Sequence, residues 1–111
     1  MSAEKKRIRK EFREAVFARD GWQCIMCGLV ACPAEAEEVL DAHHITDRNE
    51  MPNGGYVPEN GGSLCKVEEN CHLKAEKREP GYEPETLYQR IGSSYEKAFE
   101  ASERLNERAR A

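Results

Sequence analysis

No stretch of this 111-residue sequence approaches the roughly 20 consecutive apolar residues of a membrane-spanning helix. The N-terminal segment carries charges where a secretory signal would have its apolar core, so we expect a cytoplasmic protein with no membrane partner. Internal repeats and low-complexity segments are also missing, which excludes repeat architectures. Together with the length, these absences predict a single domain over residues 1–111.

An excess of positive charge is missing as well. The 17 Lys and Arg residues are outnumbered by 21 Asp and Glu residues, and the net charge of −4 argues against a broad basic face for nucleic acid. Residues 1–20 are basic, and the cations there that are predicted to contact phosphates are Lys5, Lys6, Arg7, Arg9 and Lys10. The alternative is that this run forms the solvated face of a helix.

Apolar residues are scarce enough to predict a small core, because hydrophobic residues make up 39% of the sequence and charged residues 34%. A domain of this size and polarity often relies on a metal ion or on disulfides for its stability. The five cysteines are an odd number, and a reducing compartment favours metal binding over disulfides. We therefore expect a structural Zn²⁺ site.

The spacing of the cysteines predicts the ligands of this site. Cys24 and Cys27 form a Cys-x-x-Cys pair whose two sulfurs can reach one ion. Cys65 and Cys71 form a second pair, although five residues separate them instead of the commoner two. Spacing alone leaves open whether Cys65 or Cys32 completes the tetrahedral site.

The hydrophobic pattern predicts an α+β fold with a small irregular sheet. We expect helices over residues 3–19 and 84–110, where apolar residues recur at helical spacing, and a third helix in the later part of residues 63–79. We expect a strand over residues 39–45 that pairs with a second strand at residues 56–57. Glycine, asparagine and proline residues indicate a turn-rich connection between them.

The three histidines are arranged so that one site can include them all. His43 and His44 are adjacent in the predicted strand, and His72 directly follows Cys71. Glu76 lies four residues after His72, and residues at this spacing share one face of a helix. Both can bind one metal ion if the strand with the other histidines lies against that face. Because neighbouring strand residues point to opposite faces, the strand must end or distort at the doublet.

Four segments follow one another between residues 19 and 78: RDGWQCIMCG, LDAHHITDR, ENGGSLC and CHLKAE. This ordered set resembles the HNH endonucleases, the zinc-stapled branch of the ββα-metal (His-Me finger) nucleases. The resemblance implies a ββα-metal core with a four-cysteine zinc site, flanked by the helices over residues 3–19 and 84–110. It also implies a metal-dependent endonuclease that hydrolyses the phosphodiester bonds of DNA, in an intracellular protein of bacterial or phage origin.

The resemblance further implies roles for individual residues. His44 matches the general base that activates water, and Asn60 matches the residue that braces the adjacent turn and orients this base. His43, His72 and Glu76 match the ligands of the catalytic metal ion. The implied ligands of the structural zinc are Cys24, Cys27, Cys65 and Cys71.

The chain departs from the family pattern by three extra residues between Cys65 and Cys71. The catalytic ion stays open between Mg²⁺, Mn²⁺, Ni²⁺ and Zn²⁺, because histidine ligands favour transition metals and a carboxylate favours Mg²⁺. The sequence assigns Asp41 and Asp47 no role beyond the surface.

Two functions from different classes follow from these patterns. The first is the metal-dependent endonuclease, with DNA as its partner. The second is a non-catalytic zinc-binding module that recognises nucleic acid or a partner protein, for which the histidines need no chemical role. In either case the last helix offers a surface for a partner protein or for a homodimer.

Overall fold

A computed structural model describes the backbone of residues 2–110 and the side chains of residues 2–105. In this part of the chain there are five α-helices and one two-stranded sheet, which confirms the α+β class. The helices are α1 Ala3–Arg19, α2 Ala36–Val39, α3 Cys71–Glu76, α4 Pro84–Arg90 and α5 Tyr95–Arg110. The strands are β1 Leu40–His44 and β2 Gly61–Cys65. Among the described residues, no helix combines the length and the apolar character needed to cross a membrane.

Helix α1 has the bounds that the sequence predicted. It begins after Ser2, whose Oγ accepts a hydrogen bond from the backbone N–H of Lys5 at 3.2 Å. It ends at Arg19, and Gly21, two residues later, has a φ of +67°, a left-handed conformation that glycine adopts without strain. Phe12 and Val16 are buried on one side of the helix because their spacing of four residues places them on the same face.

The sheet pairs β1 with β2 in antiparallel register, from Leu40 opposite Cys65 to His44 opposite Gly61. The predicted strand at residues 56–57 was therefore wrong, because the partner of β1 begins only at Gly61. Residues 56–57 lie between two short 3₁₀ turns, and the proline that follows them has no N–H to donate to a neighbouring strand.

The free edge of β2 is covered by the chain that follows α1. Asp20 Oδ2 accepts a hydrogen bond from the backbone N–H of Ser63 at 2.9 Å, and the N–H of Ile25 donates to the carbonyl of Ser63 at 2.9 Å. Arg19 donates to the carbonyl of Gly61 at 2.6 Å and also contacts Asp20 at 2.8 Å. These contacts satisfy backbone groups that an exposed edge strand would leave unpaired.

The predicted helix over residues 84–110 is divided into α4 and α5, so its expected continuity was wrong. The break is at Gly92, whose φ is +69°, a conformation that ends a helix. Helix α5 then starts anew, because Ser94 Oγ accepts a hydrogen bond from the backbone N–H of Lys97 at 3.1 Å. A glycine followed by a capping serine was the local signal for this break.

Two clusters of buried side chains hold these elements together. The larger includes Leu40 of β1, Leu64 of β2 and Leu87 of α4, which are at most 1% exposed. The smaller joins Val57, in the connection between the strands, to Leu105 of α5. The connection therefore packs against the last helix, and the sheet packs against α1, α3 and α4.

We expect Gly61→Ala to lower the free energy of unfolding by roughly 1–3 kcal/mol, as overpacking does in other cores. A Cβ at this position would lie 2.5 Å from Val16 Cγ2 and 2.8 Å from Phe12 Cε1. At Gly62 the nearest atom is the end of the Ile25 side chain, at 2.8 Å, which can move aside, so Gly62→Ala should cost less. Chemical denaturation of the two variants measures the difference, and equal stabilities would contradict this account.

Candidate functional site

Four thiols meet at one end of the sheet. The Sγ atoms of Cys24, Cys27, Cys65 and Cys71 all lie within 4.8 Å of one another, and those of Cys27 and Cys65 are 3.6 Å apart. Tetrahedral Zn–S bonds of about 2.3 Å place neighbouring sulfurs about 3.8 Å apart. The donor set and its spacing therefore fit a structural metal ion such as zinc.

Three separate segments supply these thiols. Cys24 begins a tight turn in which the N–H of Gly28 donates to its carbonyl at 3.0 Å, and Gly28 has a φ of +79° that favours glycine. Cys65 is the last residue of β2, and Cys71 is the first residue of α3. A bound ion would tie the turn after α1 to both the sheet and α3.

The long spacing of the second pair is accommodated by a short loop over residues 66–70. Asn70, in a left-handed conformation with a φ of +49°, caps α3 and turns the chain back towards the cluster. The N–H of Cys71 then lies 3.3 Å from Cys65 Sγ. Cys32 is exposed and outside the cluster, so Cys65 completes the set that spacing had left open.

The surroundings of the cluster favour ionisation of the Cys24 thiol but oppose ionisation of the Cys71 thiol. Burial opposes ionisation of Cys24, but backbone N–H groups, first those of Cys27 and Met26, outweigh it and lower the pKa of the Cys24 thiol. Burial raises the pKa of Cys71, and the charge of Cys24 raises it further. A divalent cation removes this conflict because it binds thiolates and cancels their repulsion.

We expect the purified protein to contain one zinc ion per chain and Cys71→Ala to lose it. This variant should also melt at least ~10 °C lower, because the ion joins three segments of a thin core. Cys32→Ala is the matched control, since Cys32 is exposed and outside the cluster. Elemental analysis and thermal melting check both variants. Stoichiometric zinc in Cys71→Ala would rule out the four-thiol site.

The three histidines line one cavity of about 600 Å³. His43 and His44 are the last two residues of β1, and both pair in regular register, with Gly62 and Gly61, so no distortion separates them. His72 is in the first turn of α3, and its ring centroid lies 5.3 Å from that of His43. The ring of His44 instead packs against Phe12 and Tyr56, at centroid distances of 4.7 and 4.6 Å. The two neighbours thus contact different elements while lining the same cavity.

His72 lies between two carboxylates. Its Nε2 atom is 3.0 Å from Glu76 Oε1 and 3.1 Å from Asp41 Oδ2. One ring nitrogen carries at most one hydrogen, so it cannot donate fully to both oxygens, whereas a cation can bind all three groups. Asp41 had no predicted role. Its position two residues before His43 could have indicated such a role, because residues two apart lie on the same face of a strand.

The environment of His43 and His44 keeps their rings neutral. Burial, then the nearby His72, lowers the pKa of His43 to about 4. Burial, then the guanidinium of Arg48, lowers the pKa of His44 to about 4. Within the described residues, the buried Nε2 atom of His44 has no hydrogen-bond partner. Such atoms are costly and uncommon, and they often mark sites where water or a ligand provides the partner.

Asn60 braces the turn directly after His44. Its Oδ1 accepts hydrogen bonds from the N–H of Thr46 at 3.0 Å and from the hydroxyl of Tyr88 at 2.7 Å. Its Nδ2 donates to the carbonyls of Thr46 at 3.0 Å and Gly55 at 3.2 Å. Asn60 is fully buried, so these four bonds are needed to offset its desolvation. The sequence singled out Asn60 but not Tyr88.

The basic residues of α1 differ in their surroundings. Arg9 is half-buried and lines the cavity, whereas Arg7 pairs with Glu11 at 3.9 Å and Lys10 with Glu14 at 4.0 Å. The members of the run that are exposed to solvent are Lys5, Lys6, Arg7 and Lys10. This exposure is compatible both with a solvated helix face and with phosphate contacts, and Arg9 is distinguished by its contact with the cavity.

Comparisons of the chain with protein-family models, with curated proteins and with solved structures find no match. The features that bear on function are therefore the thiol cluster, the three histidines and the carboxylates around them.

We expect the ring of His44 to stay neutral between about pH 7.5 and 5.5 and to titrate near pH 4, because burial and Arg48 disfavour its charged form. Because this pKa lies below that of the unfolded chain, near ~6.5, stability should fall as the pH drops from about 6.5 towards 4. The chemical shift of the ring Cε1–H measures the titration, and His44→Gln identifies the signal. A midpoint near ~6.5 would contradict the neutral, desolvated ring.

Proposed function

We propose that this protein is a metal-dependent endonuclease of the HNH type that hydrolyses the phosphodiester bonds of DNA. The observation that carries the proposal is the convergence of His43, His44 and His72 on one cavity, with carboxylates beside His72. The chain order of β1, β2 and α3 supports it, because this order matches a ββα-metal core with the histidines at its strand end and on its helix.

In this proposal His43, His72 and Glu76 hold a divalent ion, and Asp41 is close enough to join them. These nitrogen and oxygen donors suit Mn²⁺, Ni²⁺ or Zn²⁺, and the carboxylates would also allow Mg²⁺. When bound, the ion supplies positive charge that stabilises negative charge on the phosphate and on the leaving oxygen.

The proposed role of His44 is that of general base. A neutral imidazole can take a proton from a water molecule as the oxygen of that water attacks the phosphorus atom. The bond between phosphorus and the 3′ oxygen then breaks, the leaving oxygen takes up a proton from water, and the products are a 3′-hydroxyl and a 5′-phosphate. Asn60 does not contact the ring but holds the turn that follows it, so its role is to position the base.

A second candidate function is supported by the thiol cluster taken alone. A zinc-stabilised module with exposed lysines on α1 can bind nucleic acid or a protein without catalysing a reaction. Such a module does not need an unpaired, buried nitrogen on His44 or a carboxylate on each side of His72. These features favour the enzyme.

We expect the purified protein to nick a supercoiled plasmid in at least one of Mg²⁺, Mn²⁺, Ni²⁺ or Zn²⁺. Because His44 is the proposed base, His44→Ala should be slower by about 10²–10⁴-fold. Cys32→Ala, outside both sites, should cut like the wild type. Zinc content and thermal melting verify that each variant is folded. If the wild type and His44→Ala behave alike in every metal, the enzyme proposal is wrong and the non-catalytic module is favoured.

A further inference from the structure

A second cavity, of about 540 Å³, adjoins the first on the side of α1. Arg9, Tyr56 and Arg48 line both cavities, so the two adjoin along these residues and are described together as one trough. We call it the Tyr56 trough. Its far end is lined by residues of the N-terminal helix, including Lys5.

Tyr56 links the two arginines to His44. The guanidinium carbon of Arg9 lies 5.8 Å from the centroid of the Tyr56 ring, within the range of a cation–π contact. Arg48 Nη1 donates a hydrogen bond to the Tyr56 hydroxyl at 3.2 Å. The ring of Tyr56 meets that of His44 edge to face, at 4.6 Å and 89°. Both cations thus contact the tyrosine that packs against His44, the candidate base.

Neither arginine is neutralised by a carboxylate. Within residues 2–105, no Asp or Glu oxygen lies within 4.0 Å of the charged nitrogens of Arg9 or Arg48. Four other cations of α1 are paired, among them Arg13, which contacts Glu37 at 2.6 Å, whereas Lys5 and Lys6 have no carboxylate within 4.0 Å in residues 2–105. Two arginines that are oriented by an aromatic ring but keep their charge are suited to an anionic ligand.

We propose that Arg9 and Arg48 bind phosphates of the DNA strand next to the bond that is cut. Tyr56 is then a positioning residue that couples the two arginines to His44. That the ligand is DNA rests on the proposed function. Carboxylates of Glu4 and Asp47 also line the trough, so it is suited to the spaced phosphates of a backbone rather than to a dense polyanion.

The test measures binding without cleavage, in the His44→Ala background. The probe is a short fluorescein-labelled DNA duplex, and its dissociation constant is measured by anisotropy as a function of salt. Each phosphate contact contributes about −0.9 to the slope of the logarithm of the association constant against the logarithm of the salt concentration. Adding Arg9→Ala or Arg48→Ala should therefore make this slope less negative by about one. Arg104→Ala, an exposed arginine that lines neither cavity, should leave the slope unchanged. Arg7→Ala should reduce it less.

The outcomes separate this inference from the proposed function. If Arg9→Ala and Arg48→Ala change the slope no more than Arg7→Ala, the trough does not bind the strand, even if the wild type cuts DNA. If the slope depends on both arginines but no metal supports cleavage, the trough is supported and the endonuclease is not. An RNA duplex of the same sequence that binds more tightly would overturn DNA as the ligand.

The role of Tyr56 is tested by the kinetics of two variants that retain zinc and melt like the wild type. Tyr56→Phe loses the hydroxyl that holds Arg48 but keeps the ring, so KM should rise several-fold while kcat stays near the wild-type value. Tyr56→Ala also removes the packing against His44, so kcat should fall as well. Equal kcat and KM in the wild type and Tyr56→Ala would overturn the positioning role.

Discussion

Repulsion and desolvation among four close thiols are the constraint on which the other contacts of this small protein depend. The thiols come from the turn after α1, from the end of β2 and from the start of α3. Burial and mutual charge oppose full ionisation, so a cation is the group that makes their proximity favourable. A bound ion would tie the three segments at the end of the sheet where α3 begins, and His72 of α3 faces His43 of β1.

A second constraint acts at the other end of the sheet, where Asn60 is fully buried next to Gly61. All of its polar side-chain atoms bond to the turn that follows His44 or to Tyr88 of α4. Because an unpaired buried amide is costly, the turn, β2 and α4 must keep their relative positions. The cluster and this amide therefore support the two ends of the same short strand, and the histidine doublet lies next to the amide.

The cations around the trough divide into those that pair with a carboxylate and those that do not. Pairs such as Arg7 with Glu11 lie on the solvent side of α1, where ion pairs contribute little to stability. Arg9 and Arg48 keep their charge beside neutral histidine rings and a tyrosine. A chain with an overall negative charge can in this way present guanidinium groups that no carboxylate within 4.0 Å neutralises. Net charge alone is therefore a poor guide to the ligand.

Local sequence pattern was enough to predict α1, the α+β class, the Cys24–Cys27 pair and a strand that carries the histidine doublet. Local pattern could not identify β2, whose small residues become a strand only because β1 and the chain after α1 pair with both of its edges. Nor could it assign a role to Tyr56, because its contacts with Arg9 of α1 and His44 of β1 join residues far apart along the chain. The contact of Asp41 with His72 likewise joins β1 to α3. Only the tertiary structure decides such contacts, since packing and burial, rather than propensity, bring these groups together.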